Sequence, residues 1–479
     1  MLTECTTPTF TFQPLGARAV LARFDGGAVT SDGGALLLGE AERLTGTLRQ
    51  FAACFTDYRN PDALEHTVLQ LVSQRVYGLA LGYEDLNDHD TLRLDPLLAT
   101  LVGKTDPTGQ DRLRAQDQGK PLAGKSTLNR LELTPPDASA DSRYQKIVAH
   151  PEAIEPLFVD LFLQAHPTPP AEIVLDLDAT DDPLHGHQEG RFFHGYYKEY
   201  CYLPLYVFCG EHLLVAQLRT ADQDASAGTV AVLERLLPQL RAAWPQVRII
   251  VRGDSGFCRE EILAWCEAHG VDYLFGLAKN SRLLEAIQAE LADAQVRYLQ
   301  TGVAARVFAD FSYQTLDSWS RPRRVVGKAE YLPKGPNPRF VVTSLSAAER
   351  EARVLYEEDY CGRGEMENRI KEQQLMLFAD RTSTAWLRSN QLRLWFSSLA
   401  YVLVQAVRRL GLAGTRLARA QCGSIRLWLL KIGALVRVTV RKVWVSLTSA
   451  CPYREVFAQV YANLQRATPT APALGAAGG

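Results

Sequence analysis

"EIVLDLDATDDPLHGHQEG", residues 172–190, carries two carboxylates inside an apolar run. Alternation with a period of two puts Ile173, Leu175 and Leu177 on one face and Asp176 and Asp178 on the other, which predicts a strand. After Ala179 it opens into a loop with Asp181 and Asp182. An acid in a strand otherwise built for burial is costly unless a cation or hydrogen bonds meet it. The alternative is a pair of strand-end acids holding a turn. His185, His187 and His194 follow, but an H-x-H pair is weak support for zinc, and surface or supporting histidines are commoner.

Outward from this strand, "YLPLYVFCG" (202–210), "HLLVAQLRT" (212–220), "VRIIVRGD" (247–254) and "VDYLFGLAKN" (271–280) are β-rich runs bounded by turn residues. "SAGTVAVLERLLPQLRAAW" (226–244) and "REEILAWCEAHG" (259–270) have helical spacing. Two adjacent strands followed by strand–helix–strand–helix–strand predict an α/β fold, a mixed sheet flanked by helices. Asp254 stands at the C-terminal end of a strongly apolar strand, where open α/β sheets bind ligands. Gly253 and Gly256 let the backbone turn closely there. A third acid lies in "YCGRGEMENRIKEQQ" (360–374). On a helix, Tyr360, Arg363, Glu367, Ile370, Lys371 and Gln374 share a face, polar where a core face would be apolar. Alone, Arg363 and Glu367 read as an ordinary surface pair. Together, Asp178, Asp254 and Glu367 offer hard oxygen ligands for two Mg²⁺ ions, which can act on a phosphodiester.

Residues 1–170 read mainly as helices, for example "DALEHTVLQLVSQRVYGLALG" at 62–82. Within them, "GKPLAGKST" (119–127) fits G-x-x-x-x-G-K-[ST], the phosphate-cradling loop of many nucleotide hydrolases. That loop needs a buried strand before it, and "PTGQDRLRAQDQ" (107–118) is too polar to be one. Ser126 or Thr127 as a helix N-cap accounts for the residues, and no nucleotide is expected. Residues 171–280 form the first part of the core. Residues 296–345, beginning with "RYLQTGVAARVFADFSY" (297–313), read as a β-rich antiparallel insertion, and 346–412 as the core's helical second part. Residues 413–466 are basic, and 467–479 are low-complexity and disordered.

The 479 residues, 47% hydrophobic and 22% charged, leave room for a sizeable core. No secretory signal is visible at the N-terminus. The longest uncharged run, 394–407, has fourteen residues, short of the ~20 that span a bilayer. Nine cysteines, an odd number with no C-x-x-C pair, fit a reducing cytoplasm. The net charge of −2 hides an asymmetry: residues 381–466 carry fourteen Lys or Arg and one acid, Glu455, hence +13 against −15 elsewhere. This points to a polyanionic partner, nucleic acid before membrane. The alternative is a basic helical face balancing an acidic domain.

In order along the chain stand "QRVYGLALGYEDLNDHDTLRLDP" (74–96), "STLNRLE" (126–132), "LDLDATDDPLHGHQEG", "YCYLPLYVF", "RGDSGF", "GLAKN", "RGEMENRIKE" and "LLKIGA". In these the chain resembles the DDE transposases of bacterial insertion sequences, over some 350 residues. It is most similar to the group that marks its third acid with Tyr-x2-Arg-x3-Glu-x6-Lys, and within it to the insertion-sequence family numbered thirteen-eighty. The resemblance implies a ribonuclease-H-like core and Mg²⁺-dependent cleavage and strand transfer, with Mn²⁺ able to substitute. It implies that Asp178, Asp254 and Glu367 are the metal-holding catalytic acids, with Tyr360 and Arg363 on DNA phosphates. The partners would be double-stranded DNA (terminal inverted repeats and target) and a second copy of the chain on that DNA. Residues 281–345 would form the β insertion, and the helical N-terminal region would help to read the ends. The signature lysine falls at Gln374. Lys371, one helical turn after Glu367, is the substitute cation. Two other readings remain: a two-metal nuclease that cleaves without joining, and a non-catalytic DNA-binding remnant.

Overall fold

Apolar side chains on both faces of Arg248–Gly253 call for burial from two sides, and the strand lies inside a nine-stranded sheet. The structure, a computed structural model, describes residues 8–470, so 471–479 of the expected disordered tail lie outside it. The chain forms two compact units. One is 150–398; the other joins the residues up to Ala149 with those from Leu399 onward.

In the 150–398 unit the long strands are β1 (Glu172–Ala179), β2 (Leu205–Cys209), β3 (His212–Gln217), β4 (Arg248–Gly253), β5 (Asp272–Leu277), β6 (Ala305–Tyr313), β7 (Arg323–Leu332) and β8 (Arg339–Thr343). Their order is β3-β2-β1-β4-β5-β8-β7-β6, with the short strand Gly335–Pro336 on β7. β1, β4 and β5 run parallel, and the other neighbours are antiparallel. The segment after 280 therefore continues the same sheet, through β8 on β5. The run 297–313, expected as β throughout, divides: "RYLQT" closes the helix Gln288–Thr301, and Ala305–Tyr313 is the strand β6. Ala294, on the helix's inner side, is fully buried.

The faces of the sheet differ. Leu175, Leu177, Val207, Val251 and Phe275 pack with Val159, Leu233, Leu236 and Leu263. The last four come from the helices Pro151–Ala165, Thr229–Ala243 and Glu260–Ala268. On the opposite face, Ile250, Leu274, Val326 and Val341 meet Leu355 and Tyr356. The segment covering that face is not one α-helix. It runs as a π-helical turn (Leu355–Tyr360), a 3₁₀ turn (Cys361–Arg363), an α-helix (Gly364–Lys371) and a second π-helical turn (Glu372–Met376).

The other unit is discontinuous in sequence. Its helix Val68–Leu81 begins with a reciprocal Thr67/Gln70 cap, and Arg75 pairs with Glu132 in its core at 2.9 Å. Val29–Thr30 pairs with Ala434–Leu435, and Ala434–Val438 with Val443–Leu447. A Cβ on Gly34 would stand 1.7 Å from the Leu429 carbonyl oxygen, so only glycine fits. No strand leads into 119–127: the only element between Leu101 and Lys125 is the 3₁₀ turn Ala115–Asp117. The helix Lys125–Leu133 is entered through Gly124 rather than capped by Ser126 or Thr127. Lys125 is held by Asp90 (3.3 Å) and Asn87 (3.1 Å). Some of the C-terminal charge is internal: Arg408 donates to the Ala420 carbonyl, and Arg426 to those of Leu79 and Ala80. The eight described cysteines are free thiols. No helix among the described residues is long and apolar enough to cross a membrane.

Candidate active site

The register of the parallel pair β1/β4 places Arg252 beside Asp176. Two residues further on, one pleat repeat along the same face, come Asp178 and Asp254. Thus Asp176 and Asp178 have separate surroundings. Asp176 is buried and gripped by Arg252 (Nε–Oδ1 2.5 Å, Nη2–Oδ2 2.8 Å). The third nitrogen of Arg252 donates to the Asp359 carbonyl. A Cβ on Gly362 would come within 2.8 Å of that nitrogen. Arg252 therefore anchors the 359–362 turn to the sheet, and the helix bearing Glu367 starts from that turn.

Arg363 joins the acids. Its guanidinium bonds Glu367 at 2.6 Å and lies 3.7 Å from Asp178. Asp254 is near enough that its charge acts on Asp178, Tyr360 and Arg363. One Asp254 oxygen accepts from the Gly256 N–H at 2.8 Å, which shapes the turn after β4. Burial, then the charges of Asp254 and Glu367, push the Asp178 carboxyl up to about 7, against the pull of Arg363. Tyr360 is packed over β5: a Cβ on Gly276 would fall 2.5 Å from its hydroxyl. Burial raises the Tyr360 pKa. Gly276 escaped the reading of the sequence as a site residue, although "GLAKN" at a strand end offered the signal.

The remaining candidates are placed differently. Lys371 is exposed and without an ion pair among the described residues, and Gln374 donates to the Asp181 carbonyl at 2.9 Å. His185 and His187 are exposed. Beyond Asp178 the buried Asp182 faces Asp380 and Asp181, and burial holds its carboxyl well above the usual range. One of its oxygens has no hydrogen-bond partner.

Carboxylates are the donors that a hard divalent cation takes, and here Asp178 and Glu367 flank the Arg363 guanidinium. Among the described residues no group of three or more acids, histidines or cysteines stands close enough together to hold a metal ion. Arg363 supplies the positive charge instead.

The family model for the transposase DDE domain group 1 matches residues 12–469. The chain belongs to this family. DDE transposases cut DNA with divalent metal ions. No curated protein matches the chain. Among solved structures it is similar to the cryo-EM structure of the piggyBac transposase synaptic complex with hairpin DNA, at 10% identity and a TM-score of 0.41. That match covers 84% of this chain and 80% of the other.

Proposed function

We propose that the chain is an insertion-sequence transposase of the Tyr-Arg-Glu-Lys type, cutting DNA at its element's ends and joining the freed 3′-hydroxyl to target DNA. The β3-β2-β1-β4-β5 order, with only β1, β4 and β5 parallel, supports a ribonuclease-H-like core. The observation that carries the reading is Arg363 between two acids, 2.6 Å from Glu367 and 3.7 Å from Asp178, with the charge of Asp254 acting on both Asp178 and Arg363. Asp178, Asp254 and Glu367 would hold Mg²⁺, or Mn²⁺ in its place. Bound there, the ions supply Lewis-acid stabilisation of the attacking and leaving oxygens at phosphorus. Arg363 is the residue that turns from acid to phosphate when DNA arrives, because a bidentate guanidinium matches a phosphate as well as a carboxylate. Tyr360, held over β5, directs that guanidinium. Lys371, exposed and uncommitted, adds a further phosphate contact. DNA and a second copy of the chain complete the assembly.

Cleavage and strand transfer on duplexes built from the DNA flanking the gene test this. Asp178→Ala, Asp254→Ala and Glu367→Ala should each abolish Mg²⁺-dependent cleavage while end binding persists. Substantial activity in any one of them removes that residue from the site. Cleavage without joining of a pre-cut end would favour the nuclease reading.

A further inference from the structure

The hairpin Ala434–Val438/Val443–Leu447 has two chemically distinct faces. Ala434 and Val436 are buried beneath it. The outward side carries Leu435, Arg437, Lys442 and Trp444, with Val440 and Arg441 at the tip. Register sets Arg437 opposite Trp444, and the Lys442 ammonium stands 5.4 Å from the centre of the Trp444 ring.

Three features argue against an ordinary surface hairpin. The stretch 431–447 holds four cations and no acid. Arg437, Arg441 and Lys442 are exposed and form no ion pair among the described residues, whereas Lys431 at the base is paired with Asp32 at 2.7 Å. Tight hairpin turns draw on Gly, Asn and Asp. Here Val440 and Arg441 make the turn, without a positive φ, and Val440 is fully exposed. Nor is the ribbon loosely attached. Thr448 N–H bonds the Gly433 carbonyl (2.9 Å), Val436 N–H bonds that of Ala28 (2.8 Å), and Ala434 pairs with Thr30. A rigid base with a cationic, apolar-tipped end is built to enter something.

We infer that this two-stranded ribbon enters the major groove of duplex DNA. The groove is about 12 Å wide and admits such a ribbon. Arg437, Arg441 and Lys442 lie against the flanking phosphates, and Val440 and Trp444 make apolar contact within the groove. This rests on the proposed DNA-cutting function and names an element of its DNA-binding surface.

The test uses the full-length protein and a fluorescein-labelled duplex of about 30 base pairs, titrated across a range of KCl. Each neutralised phosphate contributes about 0.9 to the slope of log affinity against log salt. Arg437→Ala, Arg441→Ala and Lys442→Ala should each lower the slope by about 0.9, and the triple variant by about 2.7. Arg441→Lys with Lys442→Arg should keep the parental slope, which separates lost charge from lost folding. Val440→Gly should weaken binding severalfold with the slope unchanged, and methyl green, a major-groove ligand, should compete. A triple variant with the parental slope overturns the inference. So does a change in the triple variant's oligomeric mass without a change in slope, which would make the ribbon a contact between copies. Cleavage by the parent is scored separately on flanking-repeat duplexes. Failure of the ribbon therefore leaves the cleavage reading standing, and failure of cleavage leaves the salt slopes interpretable.

Discussion

Arg252 bonds Asp176 through two nitrogens and the Asp359 carbonyl through the third. Its planar fork therefore sets the distance from the strand bearing Asp178 to the turn leading into Glu367. Lysine keeps the charge but cannot reproduce three directed bonds. Arg252→Lys should slow cleavage by about 10–100-fold, since small displacements of reacting groups cost that much. Half-saturation by Mg²⁺ should rise while duplex affinity is unchanged. A parental Mg²⁺ dependence would reduce the pair to a structural contact. Asp182 is a different case. Its folded-state carboxyl titrates well above the unfolded value, so the folded state holds the proton over the intervening pH range. Stability then falls as pH rises through that range, and the penalty is absent below about pH 4. The charge of Asp182 also acts on Tyr202 and Tyr206, and that of Asp380 on Asp182. Asp182→Asn should therefore stabilise the protein at pH 8 by on the order of 1–3 kcal/mol and change little at pH 4. Equal melting shifts at both pH values would sink this account.

Among the elements, the segment 355–376 matters most, and it was only half legible. Strands β1, β4 and β5 could be read from sequence because burial on both faces or strict alternation leaves a strong pattern. The face shared by Tyr360, Arg363 and Glu367 was visible as helical spacing. Its breaks into π and 3₁₀ turns were not, because they arise where a helix accommodates contacts elsewhere, here the Arg252 anchor and the Gln374 bond to the Asp181 carbonyl. "RYLQT" misled through β-prone Tyr298 and neighbouring Val296, although its helix shows one small buried residue, Ala294, toward the core. The Asp176/Arg252 pairing was out of reach too, since register is set by the whole sheet. Gly276 offers a test of how tightly the segment sits. Gly276→Ala would drive a methyl toward the Tyr360 hydroxyl (2.5 Å) and the Ser255 N–H (2.9 Å). The expected cost is about 1–3 kcal/mol, as for other overpacked sites. Adding Tyr360→Phe should return part of it, because one of the two clashing atoms is removed. If the two substitutions are additive in thermal melts, the Tyr360 hydroxyl does not pack on Gly276.

At the scale of the whole molecule, the N- and C-terminal parts of the chain share one unit. Composition alone had set them apart as a helical region and a basic region. The joint was hidden because it is a two-residue strand, Val29–Thr30, paired with a partner some four hundred residues away, with no periodicity to announce it. Gly33 N–H bonds the Ile432 carbonyl at 2.8 Å, and a Cβ on Gly34 would strike the Leu429 carbonyl, so this packing admits no substitute. Folding must therefore bring the two termini together, whereas residues 150–398 contain their own sheet and cores. The two parts should behave differently when separated. Residues 150–398 expressed alone should melt in a cooperative transition, having lost none of the strand pairs of the main sheet. Residues 1–149 alone should show no such transition, because Val29–Thr30 and the Gly33–Gly34 turn lose the backbone they pack on. Adding 399–479 in trans should restore it, with a midpoint that rises with fragment concentration, as binding to a folded partner requires. A cooperative, concentration-independent melt of 1–149 by itself would mean that the N-terminal part carries its own core, and that the pairing across the chain is decoration on it.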